Sequence, residues 1–184
     1  MSHPSVPWGE LVAADAALNV GELALAEKLL SHRKGDDARS VHLTRLSRLK
    51  RYQRQMADAI QLSSAALDGA SMTVGLFIER VYALVGNNDV KGARDLVAKY
   101  PTLLGPMTGW VSALIDVQAE QKAQAAARVA KLEPAGPEAP LVLRVLMARA
   151  LAASGDKRAK PYVTALSRQA PKHPDLLLAA QDLQ

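Results

Sequence analysis

Four histidines, His3, His32, His42 and His173, are the obvious candidates for proton transfer or metal ligation. None stands at helical ligand spacing from another histidine, or from a carboxylate in a recognisable set, so neither a metal centre nor a cofactor is expected. Gly86-Asn-Asn-Asp-Val-Lys-Gly92 offers the glycines and the lysine of a phosphate-binding loop. It lacks a preceding strand and a Gly-Lys-Ser/Thr ending, and it reads as an interhelical turn. Asp36 and Asp37 are adjacent carboxylates, but a cap at the start of a helix explains them better than acid–base work. The chain has no cysteine, which excludes disulfides, thiolate catalysis and Cys-ligated metals. No catalytic residue is assigned, and the chain is not expected to be an enzyme.

Charge is the strongest chemical feature. From Arg39 to Ala57 stand Arg39, Arg45, Arg48, Lys50, Arg51 and Arg54, with no Asp or Glu among them. Arg45, Arg48 and Arg51 recur at three-residue spacing and drift slowly round one side of a helix. Such a stripe has two uses. It can raise the local positive potential and favour an acidic partner, or it can pair with acids from a neighbouring unit. Nucleic-acid binding through residues 39–54 is an alternative use of the same charges. Against it, Asp58, Asp68, Glu79 and Asp89 follow closely, and a net charge of +5 is low for that role.

The elements that must position these residues are helices. The chain has 184 residues, 49% hydrophobic and 22% charged, with aromatics at 4%; alanine and leucine supply most of the apolar surface. Closely packed helices use these residue types, whereas sheets favour β-branched and aromatic ones. Periodicity, caps and breakers predict helices over about 8–19, 22–33, 38–50, 54–67, 71–85, 89–100, 106–119, 122–133, 141–153, 157–169 and 175–182. Asp36 or Asp37, Ser71 and Asp89 are expected N-caps, and Pro106 is expected to open the seventh helix. The proline-rich joint at 134–140 is the most loop-like stretch. No run approaches 18 apolar residues, so no membrane span is expected. The N-terminus lacks the basic-then-apolar order of a secretory signal, and a cytoplasmic location is the default expectation.

The helices repeat. Counting from Ala26 in Gly21-Glu-Leu-Ala-Leu-Ala26, comparable alanines stand at Ala59, Ala93, Ala126 and Ala159. Three residues before them are Leu23, Met56, Val90, Ala123 and Asp156, four of the five apolar. Sixteen residues before them stand Glu10, Leu43, Phe77, Trp110 and Leu143, again four of five large and apolar. A helix pair cannot bury its own apolar face, but stacking on neighbours makes a continuous core. A small residue at the alanine position lets the paired helices approach closely, and a larger one would overpack.

This pattern resembles the tetratricopeptide repeat, most closely in Gly21-Glu-Leu-Ala-Leu-Ala26 and Asn88-Asp-Val-Lys-Gly-Ala93. The small residue usual in the first helix is present at Ala14 and Ser47, whereas later units carry Val81, Leu114 and Met147. The resemblance implies one all-α domain over residues 1–184. It would be a right-handed solenoid of about five helix-turn-helix units, 7–39, 40–73, 74–106, 107–139 and 140–172, with a C-terminal capping helix at 174–184. It also implies a scaffold whose first helices line a concave groove for a peptide or protein partner, an acidic one included. That groove would include Leu11, Asp15, Asn19, Thr44, Arg48, Tyr52, Ile78, Tyr82, Val111, Ile115, Gln118 and Arg144. The Lys and Asn set with which some relatives grip a chaperone C-terminus is not reproduced. A helical-repeat portion or non-catalytic subunit of a larger enzyme or complex is a further reading. Apolar grooves and ends would also allow a homo-oligomer.

Overall fold

The computed structural model describes residues 7–31, 39–68 and 70–184. All the regular structure in them is helical: α1 (Pro7–Val20), α2 (Leu23–Ser31), α3 (Arg39–Tyr52), α4 (Met56–Ala65), α5 (Val74–Gly86), α6 (Val90–Lys99), α7 (Thr108–Gln118), α8 (Lys122–Val129), α9 (Leu141–Ala153), α10 (Ala159–Gln169) and α11 (Pro174–Gln181). No helix among the described residues is long and apolar enough to cross a membrane. Asp36 and Asp37, expected to cap α3, lie outside the described residues, as do His3 and His32.

The turns inside the helix pairs explain the spacing. Each contains one residue in the left-handed region: Gly21 (φ 82°), Arg54 (φ 64°), Asn88 (φ 60°), Glu120 (φ 61°) and Gly155 (φ 73°). At each turn the next amide donates back to a carbonyl five residues earlier: Glu22 to Ala17, Gln55 to Lys50, Asp89 to Leu84, Gln121 to Asp116 and Asp156 to Leu151. This six-to-one bond with a left-handed residue before it is the Schellman helix ending, and it satisfies carbonyls that a helix end leaves orphaned.

The turns also correct the repeat register. Gly21, Arg54, Asn88 and Glu120 stand five residues before Ala26, Ala59, Ala93 and Ala125. The fully buried alanine of the fourth pair is therefore Ala125, at 0% exposure, and Ala126, expected there, is half-buried. Ala26, Ala59, Ala93 and Ala159 are all at 0%.

Two of the residues expected to start helices do not do so. Thr73, not Ser71, caps α5, because its Oγ1 accepts from the Leu76 amide at 3.2 Å. Pro106 belongs to a short 3-10 turn, Gly105–Met107, and α7 begins directly after it, at Thr108. Asp89 caps α6 as its residue type suggests, accepting from Gly92 at 2.8 Å.

The chain divides into two compact units, Met1–Ala83 and Leu84–Gln184. The division falls within α5 and not at the proline-rich joint. In the first unit, Leu11, Ala14, Ala17 and Leu18 of α1 pack with Ala26 and Leu30 of α2 and Leu49 of α3. In the α3–α4 pair, the Ser47 hydroxyl donates to the Ala59 carbonyl at 2.8 Å, and both residues are fully buried.

In the second unit, Trp110, Leu114, Val129, Leu146, Leu151 and Leu166 are core residues. Helix α11 packs on α9 and α10 through buried Leu176 and Ala179 and leaves Leu177 half exposed. The joint at 134–140 is pinned: the Tyr162 hydroxyl donates to the Ala135 carbonyl at 2.9 Å, and Arg144 Nε donates to the Ala139 carbonyl at 2.9 Å.

Candidate functional site

The basic helix turns its charge inward. Glu79, in the middle of the apolar helix α5, is only 1% exposed. Its Oε1 accepts from Arg48 Nε at 2.8 Å and its Oε2 from Arg51 Nε at 3.0 Å. The spacing on α3 that brings both guanidiniums to one carboxylate is the three-residue interval between Arg48 and Arg51, nearly one helical turn. Arg48 reaches further, donating from Nη1 to Asp15 and to Asn19 on α1, each at 3.2 Å. Arg45 Nε lies 3.5 Å from the same Asp15 carboxylate. The Arg51 guanidinium sits 4.5 Å from the ring centroid of Tyr52 and 4.4 Å from that of Tyr82. A cation against aromatic faces is favoured, most of all where water is excluded.

Burial opposes charge on Arg48, but Glu79 above all, with Tyr52 and Asp15, outweighs it and holds the guanidinium pKa above its ordinary value. Three guanidiniums thus share two carboxylates. Arg48 and Arg51 are 8% and 6% exposed, so the stripe is not the solvent-facing surface that a nucleic-acid reading needs. Arg39 and Arg54 remain exposed, and Lys50 bonds its neighbour Gln53 at 3.2 Å.

Of the twelve residues expected to line a groove, five gather here: Asp15, Asn19, Arg48, Tyr52 and Tyr82, from α1, α3 and α5. All but Arg48 are half-buried, with surface left to solvent. Leu11, Ile78, Val111 and Ile115 are at 2% exposure or less and pack in the interior. They correct the expectation of an open apolar lining, because their helices meet neighbours on that side. Thr44 bonds back to the Ser40 carbonyl within its own helix at 2.7 Å. Gln118 donates to Asn88 at 3.0 Å, and Arg144 Nη1 donates to Gln169 at 3.1 Å, away from any shared cluster.

The described histidines do structural work. His42 Nε2 lies 2.9 Å from the Leu30 carbonyl. His173 caps α11, its Nδ1 accepting from the Asp175 amide at 3.2 Å.

A second site was missed in the sequence. Asp116 of α7 is 3% exposed and accepts from Arg128 Nε of α8 at 3.0 Å. Arg94 of α6 approaches it at 3.4 Å and also donates to Gln121 at 2.7 Å. These residues line an open cleft of about 410 Å³ between α6, α7 and α8, whose apolar lining is Val97, Ala98 and Ile115. Both of these acids leave the same trace, a lone carboxylate directly after a run of apolar residues: Leu76-Phe-Ile-Glu79 and Leu114-Ile-Asp116. A buried acid must be paired, so such a residue demands arginines from neighbouring helices.

Comparison with known proteins gives no matching family model, no matching curated protein and no matching solved structure.

Proposed function

We propose that the chain is a protein-interaction scaffold, a right-handed, tetratricopeptide-like solenoid of five helix pairs closed by α11. A peptide or protein partner would lie on the face built by the first helices α1, α3 and α5. One observation carries this reading: Asp15, Asn19, Tyr52 and Tyr82 stand half-buried, each with some surface left to solvent, around an interior locked by Arg48, Arg51 and Glu79. Two aromatic rings, an amide and a carboxylate held this way form a surface that loses little entropy on binding.

The test begins with capture of a partner on the immobilised chain and its identification by mass spectrometry. That partner is then titrated against the parent, Tyr82→Ala and Asn19→Ala, with circular dichroism to show that each variant is folded. Tyr82→Ala should weaken binding by roughly tenfold or more, as truncation of an interface aromatic does. Equal affinity for the parent and both variants rejects the assignment of this face.

A further inference from the structure

The geometry points to a second binding site, the cleft between α6, α7 and α8, which takes a carboxylate carried on an apolar body. It shares no residue with the face on α1, α3 and α5. The recognition element is Arg128. Its Nε is spent on Asp116 at 3.0 Å, while its Nη1 and Nη2 make no hydrogen bond among the described residues. That free edge presents donors in the planar array that carboxylates accept in pairs. Opposite stands Arg94, which uses only Nη2, on Gln121 and Asp116. Both side chains keep contact with water, at 36% for Arg128 and 47% for Arg94.

Charge selects the ligand. Two guanidiniums face one buried carboxylate, so one positive charge is left uncompensated in the cleft. A monoanion balances it, whereas a phosphate dianion overshoots. Val97 and Ala98 supply the apolar wall for the ligand's body, above the buried Ile115. The volume, about 410 Å³, lies within the range of small-molecule sites. The same carboxylate chemistry comes from a free organic acid or from an acidic side chain beside an apolar one in a polypeptide.

The experiment titrates the full chain, labelled with 15N, with hexanoate, hexanamide and acetyl-Leu-Glu-Leu-amide. Hexanoate should shift the Val97, Ala98, Gln121 and Gln124 amides saturably, and hexanamide should bind roughly tenfold more weakly or not at all. Tighter binding of hexanoate identifies a free acid as the source, and tighter binding of the peptide identifies an acidic side chain. Ala98→Glu puts a carboxylate on the exposed wall, one helical turn after Arg94, where it competes with the ligand for that guanidinium, and should lower carboxylate affinity by about tenfold or more. Asp116→Asn removes the competing carboxylate and, in a folded protein, should raise affinity by about threefold or more, an increase that no purely structural role of Asp116 produces. The proposal is overturned if neither carboxylate shifts the cleft, if hexanamide matches hexanoate, if Ala98→Glu binds like the parent, or if folded Asp116→Asn binds no more tightly.

Discussion

Glu79→Ala is expected to destabilise the chain more than any surface charge deletion. The side chain is 1% exposed and accepts two charge-assisted hydrogen bonds, at 2.8 and 3.0 Å. Truncation removes both and leaves two guanidiniums in the interior. Arg48 keeps Asp15 and Asn19, and Arg51 keeps the Tyr52 and Tyr82 rings, so part of their charge stays compensated. Removing one partner of a buried pair costs about 3–5 kcal/mol. With a urea dependence of about 2 kcal/mol per molar, the midpoint should fall by about 1.5–2.5 M. Far-UV circular dichroism during urea titration measures this directly. Lys91→Ala is the control: its pair with Asp95 is almost wholly solvated, and the loss should stay within about 0.5 kcal/mol. The triple change Glu79→Leu, Arg48→Met, Arg51→Met replaces the charges with apolar volume and should recover most of the loss. A Glu79→Ala loss below about 1 kcal/mol, or a triple variant less stable than Glu79→Ala, would refute the reasoning.

Three further outcomes follow from the same structure. Ala125→Leu should cost about 1–3 kcal/mol by overpacking, while Ala126→Leu, at a half-buried position, should cost much less; urea midpoints of the two separate the corrected register from the expected one. Arg54→Gly relieves a side chain held at φ 64° on the surface and should stabilise the fold by about 1 kcal/mol, read as a rise in thermal midpoint. Asp156 is held below the ordinary carboxylate range, chiefly by the hydrogen bond from the Arg158 side chain, so its folded pKa is depressed. Its contribution is present above the unfolded pKa and disappears as pH falls through the folded one. The stability gap between the parent and Asp156→Asn should therefore be full at neutral pH and close below roughly pH 4.

Much of this fold was legible because helix pairs announce themselves. Gly21, Asn88 and Gly155 mark three of the five left-handed turns by residue type, and Asp89 marks its cap. Arg54 and Glu120 adopt the same conformation with residues that give no such signal, because the helices on either side dictate the turn. The one-residue shift at Ala125 was hidden by the adjacent alanines of the Gln124-Ala-Ala-Ala127 run, which composition alone cannot rank. The site was less legible than the fold. The repeat resemblance placed Asp15, Asn19, Arg48, Tyr52 and Tyr82 on first helices; in the structure Arg48 bonds Asp15 and Asn19, and Arg51 lies against the two rings. Periodicity could not show that Arg48 and Arg51 point at an acid 31 and 28 residues away, since that depends on how α3 packs against α5. For that reason Arg48→Glu is a poor probe of partner binding: it sets a second buried carboxylate against Glu79.

The central claim is that a partner occupies the face formed by α1, α3 and α5, and site-specific photo-crosslinking tests it most directly. A photoreactive phenylalanine is placed at Tyr82, at Tyr52 and, as a control, at the exposed Lys91. Irradiation with the captured partner should give an adduct at Tyr82 and Tyr52 and none at Lys91. Equal adducts at Lys91, or none at Tyr52 and Tyr82 while the partner is bound, would contradict it.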